Sequence, residues 1–158
     1  MKRRWMYRMT VGLIVPAFLI GGVVGVTPRD ARAESVSVAV PEDVAPNSIF
    51  NPAHLYLDSG TCGIAAQSGS VILSASTSAN TVVDSIGITV YVQKWNGSAW
   101  ETYGSGSTLG GNNLAYYSNS VLKSVTPGYY YRTRSIHWVI ENGVYEEGEK
   151  FSASVLVS

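Results

Sequence analysis

Residues 82–97 read Val-Val-Asp-Ser-Ile-Gly-Ile-Thr-Val-Tyr-Val-Gln-Lys-Trp-Asn-Gly. Ile86, Ile88, Val90 and Val92 fall on one side of an extended chain, and Thr89, Tyr91, Gln93 and Trp95 on the other. A period of two with an apolar and a mixed side is the mark of a half-buried β-strand. Asn96-Gly97 follows at once. Both residue types accept the positive φ that a type I′ turn requires, so a hairpin back through Ala99 to Tyr103 is expected. In that register Trp95 opposes Ser98, Gln93 opposes Trp100 and Tyr91 opposes Thr102. Tyr91, Trp95 and Trp100 then share one sheet face with Thr89, Gln93 and Thr102.

The same signals recur on either side. Leu55 to Leu57 is a short strand candidate, closed by turn chemistry at Asp58-Ser59-Gly60. Val71, Leu73 and Ala75 alternate, and Thr77 to Asn80 forms a polar break. Gly104 to Asn113 holds four Gly and is expected to be a loop. Leu114 to Val125 suggests a strand, irregular around Ser118 to Ser120. Pro127-Gly128 turns the chain into an aromatic and β-branched run, Tyr129 to Ile140, and Asn142-Gly143 is a second hairpin signal. Glu149 to Val157 alternates with Phe151, Ala153, Val155 and Val157 on one side. No sustained helical period appears, although Val44 to Ile49 is long enough for one turn. About seven short strands joined by turns predict an all-β chain, an antiparallel β-sandwich of immunoglobulin or fibronectin type III kind.

The 158 residues have zero formal net charge, yet two unlike pieces make up that zero. Residues 1–33 carry six Lys and Arg against Asp30, a net +5, while residues 34–158 carry five against ten acids, a net −5. The first piece has the layout of a secretory signal peptide. Lys2 to Arg8 is basic, Val11 to Val26 is apolar, and Ala31-Arg32-Ala33 is a small-x-small site that places cleavage before Glu34. Residues 34–53 contain Pro41, Pro46 and Pro52 and suggest a flexible leader, with Val36, Val38 and Val40 able to add a strand to a sheet edge. The sandwich domain is expected over residues 54–158. A mature chain of net charge −5 argues against nucleic acid, which needs Lys and Arg to displace counterions, and against anionic membrane surfaces.

The second half of the chain resembles a known group. Ile86 to Trp95, Asn96-Gly97-Ser98, Trp100, Pro127-Gly128-Tyr129-Tyr130-Tyr131-Arg132 and His137 are similar to a family of small secreted proteins of Gram-positive bacteria, a domain of unknown function. The likeness covers roughly His54 to Val157 and implies an extracellular bacterial protein, with no functional residues to carry over. The Pro-Gly-x-x-Tyr pattern is also similar to fibronectin type III domains, where a tyrosine hydroxyl bonds back to the main chain at a strand corner. Tyr131 holds that place.

Candidate chemistry is sparse. Cys62 is the single cysteine. It could act as a nucleophile with His54 or His137, but no base, orienter or protease signature surrounds it. An exposed Cys62 could instead link two chains in an oxidising compartment. Asp58, Asp84 and Glu101 do not pair as hydrolytic carboxylates need to. Glu141, Glu146, Glu147 and Glu149 gather at the second hairpin without the spacing of a calcium loop, and the expectation is a solvated acidic hairpin. No catalytic residue, metal site or cofactor is therefore assigned, and the chain is expected not to be an enzyme. His137 is expected to pack on the Tyr131 side of its strand.

The aromatics carry more. Tyr129 and Tyr131 must point opposite to Tyr130, which shares its side with Arg132, Arg134 and Trp138. The candidate binding surface is thus Tyr91, Trp95 and Trp100, together with Tyr130, Arg132, Arg134 and Trp138. Trp, Tyr and Arg dominate protein-binding energetics, which favours a partner that is an extracellular protein or a component of the cell envelope. A carbohydrate-binding module stacking sugars on Tyr91, Trp95 and Trp100 is the alternative. A core role for the rings competes with both.

Overall fold

The alternating residues 86–95 lie in the second half of a strand 26 residues long. A computed structural model describes residues 39–41 and 49–158. The expected signal peptide, its cleavage site and most of the leader lie outside the described residues. The chain forms β1 (Leu57–Gln67), β2 (Ser70–Trp95), β3 (Trp100–Ser124), β4 (Tyr129–Glu141), β5 (Val144–Phe151) and β6 (Val155–Val157). Among the described residues there is no helix. All pairings are antiparallel, within one six-stranded sheet.

β2 organises the sheet. One side pairs with β3 along most of its length. The other side is divided: residues 70–79 pair with β1 and residues 85–94 with β4. The register lapses between Ser78 and Val83, where the sequence suggested a polar break. The strand continues through that point, and its two halves bury against each other. Val71, Leu73 and Ala75 share one cluster with Ile88, Val90, Val92, Tyr131 and Val157. The sheet thus curls into a half-barrel around its own central strand. Each Val, Leu or Ile removed from water in this way contributes about 1.5–3 kcal/mol. A second cluster joins Leu57, Val83, Ile86 and Val139, with Phe50 and Tyr56 packed against it.

Several local expectations change. Asp58-Ser59-Gly60 is not a turn but the start of β1, with a register shift between Leu57 and Ser59. Gly104 to Asn113 is not a loop but part of β3. Ser118 to Ser120 pair regularly with Ser76, Ala75 and Ser74. The run Glu149 to Val157 divides after Phe151, so Phe151 belongs to β5 and Val157 to β6. There Ser152 Oγ accepts from the Thr133 N–H and the Ser152 N–H donates to the Thr133 carbonyl. Among the described residues six strands result, against the expected seven or so. Ile49, expected in the leader, bridges Glu149 through two 2.9 Å bonds.

The two Asn-Gly pairs behave differently. Asn142 (φ 51°) and Gly143 (φ 76°) are both left-handed and join Glu141 directly opposite Val144, the expected two-residue turn. At the other pair only Gly97 has positive φ. Asn96 Oδ1 accepts from the N–H groups of Ser98 (2.9 Å) and Ala99 (2.8 Å), and the Asn96 N–H donates to the Ala99 carbonyl. This side-chain cap lengthens the loop to four residues. Trp95 therefore opposes Trp100, and Gln93 opposes Thr102, rather than Ser98 and Trp100 as expected. The slip is by an even number of residues, so Trp100 stays on the face of Trp95.

Tyr131 is fully buried, and its hydroxyl donates to the Thr126 carbonyl at 2.7 Å. That is the bond anticipated from the Pro-Gly-x-x-Tyr pattern.

Candidate binding face

Strict alternation in β4 buries Tyr131, Thr133, Ser135, His137 and Val139 and leaves Tyr130, Arg132, Arg134, Ile136 and Trp138 half-buried on the opposite side. The same alternation in β2 puts Tyr91, Gln93 and Trp95 on that outer side. Register then merges the two candidate sets: Gln93 pairs with Arg132, Tyr91 with Arg134 and Gly87 with Trp138. All seven candidate residues lie on the outer face of β3, β2 and β4.

The face is a set of stacked planes. The Trp95 and Trp100 rings are 5.3 Å apart and tilted by 54°. The Arg132 guanidinium lies 4.6 Å from the Trp100 centroid and 4.5 Å from that of Phe151. Cation–π contacts of this kind hold a guanidinium against a ring with about 0.5–2 kcal/mol. Arg132 Nε donates to Gln93 Oε1 at 2.8 Å. Burial pushes the Arg132 guanidinium below its usual pKa, with the Glu149 charge opposing that shift. Arg134 stacks 5.3 Å from the Tyr91 centroid and forms an ion pair with Glu149. Phe151 and Glu149 were missed as members of this face. The single alternating run assumed for residues 149–157 hid the break that turns Phe151 outward.

Two candidate rings have structural work of their own. A methyl group at Gly106 would run into the Tyr91 ring, and one at Gly87 into Trp138 and the Leu109 carbonyl. Trp138 also covers Gly110. Gly106 and Gly110 of β3 thus sit in a strand because large rings from β2 and β4 fill the space above them. Gly87→Ala should cost about 1–3 kcal/mol, the usual toll of overpacking, because the Leu109 carbonyl belongs to the main chain and cannot swing aside. Chemical denaturation measures this, and an unchanged midpoint would show that Trp138 does not rest on the sheet.

The nucleophile candidates are placed differently. Cys62 is half-buried against the main cluster, and burial pushes its thiol pKa up, with a hydrogen bond to Ser135 and the Lys150 charge opposing. Ser135 lies between Cys62 and His137 and contacts His137 Nε2 at 2.8 Å. On the other side of the ring, Nδ1 contacts Thr77 Oγ1 at 2.9 Å, and that hydroxyl donates to the Gly87 carbonyl. His137 is inaccessible to solvent on the Tyr131 side, and its pKa is lowered to about 4, by burial first and by the Lys150 charge second. A raised thiol pKa is the reverse of what thiolate attack requires. His54 is remote from this string and lies by the Glu146 carboxylate.

The acidic hairpin is not simply solvated. Glu146 is 8% exposed, and its carboxylate accepts from three successive main-chain N–H groups, those of Leu55 (2.6 Å), Tyr56 (2.9 Å) and Leu57 (2.7 Å). Burial raises its pKa, but these three bonds outweigh burial and hold it below the usual carboxylate range. Glu141 accepts from the Asp84 N–H at 2.7 Å. Asp58 bonds its neighbour Ser59, and Glu101 accepts from Asn96 Nδ2. Among the described residues no group of three His, Cys, Asp or Glu could hold a metal ion. Among them, too, no helix is long and apolar enough to cross a membrane.

Beside the face, where Ile49 meets β5, Arg134, Ile136 and Glu147 to Glu149 line a cleft of about 210 Å³. Small-molecule sites more commonly measure about 300–1,000 Å³. Comparison with protein-family models, with characterised proteins and with solved structures finds no match for this chain.

Proposed function

We propose that this is a secreted, non-enzymatic binding protein that docks an extracellular protein, or a protein of the cell envelope, on the outer face of β2, β3 and β4. One observation carries the reading: Tyr91, Trp95 and Trp100 of the β2–β3 hairpin and Arg132 and Arg134 of β4 converge as half-buried planes on one continuous surface. Trp, Tyr and Arg in a flat, partly dehydrated patch are the groups that dominate protein–protein affinity. The +5 segment with an apolar centre and a small-x-small site supports export, and the net −5 of residues 34–158 suits solubility outside the cell. The curled sheet, in which β2 passes from one packed half to the other, fits a variant of the β-sandwich whose strands switch layers. The Tyr131 corner and the resemblance to small secreted Gram-positive proteins point the same way.

The sugar-binding alternative has less support, because Tyr91 lies over Gly106 and under Arg134 and is not free to join Trp95 and Trp100 as a third stacking plane. Trp100→Ala and Arg132→Ala separate the readings. Each should weaken capture of the partner from culture medium or envelope fractions by about 2 kcal/mol, the scale of a central interface anchor, with the thermal melt still cooperative. Retention on a glycan array that disappears in Trp100→Ala would favour the sugar reading instead. Unaltered capture by both variants would remove this face from consideration.

A further inference from the structure

Arg132 stands apart from the other cation of the outer face. Arg134 is neutralised by Glu149. Arg132 has no carboxylate within 4 Å among the described residues, and its one hydrogen bond runs from Nε to Gln93. Among the described residues its two Nη nitrogens make no hydrogen bond, and neither is fully buried. The Trp100 and Phe151 rings clamp the guanidinium plane from two positions. The two stacked rings and the Nε bond restrict the side chain before any ligand arrives, and its pair of Nη donors is left over.

A guanidinium fork matches the two oxygens of a carboxylate. Fixing the fork in advance removes part of the ordering cost of binding. The surroundings restrict the ligand further. On one side stand Trp95 and Trp100, and on the other Tyr130 and the half-exposed Leu156, which pair across β4 and β6. These would accept apolar neighbours of the acid. A polyanion is disfavoured, because residues 34–158 carry a net −5 and Glu147 and Glu149 border the same face.

Building on the docking role argued above, we propose that Arg132 is the specificity-determining residue of this face and takes the carboxylate of a single Asp or Glu, flanked by apolar residues, in the partner protein.

The test uses an array of random 12-residue peptides beside an array of uronate oligosaccharides, probed with the protein and with Arg132→Lys, Arg132→Gln and Trp100→Ala. Bound peptides should share one Asp or Glu between apolar residues, and amidation of that acid should weaken binding roughly 30-fold or more, as loss of a partly buried charged pair does. Arg132→Lys keeps the charge but not the fork and should lose at least about tenfold. It also guards against a folding defect in Arg132→Gln. Peptides that bind without an acid and are lost in Trp100→Ala would overturn the role of Arg132 while leaving the docking face intact. Acid-dependent binding that ignores both Arg132 variants would overturn it as well. Arg132-dependent capture of uronates alone would overturn the protein partner, and no binding to either array would overturn both proposals.

Discussion

Glu146→Ala should destabilise the protein by about 3 kcal/mol, although no alternation or motif marks this residue among its acidic neighbours. Its carboxylate is the acceptor for the N–H groups of Leu55, Tyr56 and Leu57, the first two bonds being part-buried and the third closed to water. A hydrogen bond to a charged group is worth about 1.5–3 kcal/mol, and a buried donor left without a partner costs about 1–3 kcal/mol. The Leu57 bond is fully buried, so its loss falls at the upper end. The three bonds also tie the segment that leads into β1 to β5, a separation of about 90 residues along the chain. Glu146→Gln keeps the volume and one acceptor oxygen but turns an amide donor toward the remaining N–H groups. It should lose on the order of 2 kcal/mol on the same grounds. Urea unfolding of both variants measures the effect, and a loss below half a kilocalorie for Glu146→Ala would mean that the three bonds do not hold in solution.

What the sequence makes legible follows from how local the cause is. The strand period of residues 86–95, the Asn142-Gly143 turn and the Tyr131 corner each depend on neighbours within a few positions, and each appears as expected. The Asn96-Gly97 loop departs because Asn96 uses its side chain as an acceptor in place of its left-handed backbone freedom, a choice that identical dipeptides leave open. The glycine-rich stretch of β3 departs for a long-range reason. Its strand character depends on Tyr91 and Trp138 lying over Gly106 and Gly110, which no window of residues 104–113 contains. The candidate face was legible residue by residue through parity. Its unity was not, because it depends on the register between β2 and β4. Parity placed His137 on the Tyr131 side, but its partners and those of Glu146 were not legible for the same reason: one is held by hydroxyls on β2 and β4, the other by the main chain of residues 55–57.

Stability should fall as the solution is acidified from about pH 6.5 to pH 4, and His137 is the cause. In the unfolded chain an imidazole titrates near 6.5. In the folded protein the His137 pKa is lowered to about 4. Above pH 6.5 the ring is neutral in both states and stability is undiminished. Below that, the unfolded chain takes up a proton that the folded one refuses, and stability declines by about 1.4 kcal/mol per pH unit until the folded ring also titrates. The full loss is about 3 kcal/mol on that slope. The hydrogen bonds alone would not oppose the proton. With Thr77 Oγ1 donating to Gly87, the neutral ring donates from Nδ1 and accepts from Ser135 at Nε2. A protonated ring could donate to Ser135 instead, which would turn its hydroxyl to the Lys150 carbonyl 3.2 Å away. The opposition comes from burial between Phe50 and Gly60 and from the Lys150 charge. Glu146 adds to acid sensitivity in a lower window. Its lowered pKa gives stability that is present above the ordinary carboxylate range and lost as pH falls through the folded value. His137→Asn separates the two. It should be less stable than the wild type at pH 8, yet its unfolding free energy should be nearly flat from pH 6.5 to 4.5, with the decline at lower pH retained. Urea melts across that range decide the matter, and an undiminished slope in His137→Asn would assign the acid sensitivity to other groups.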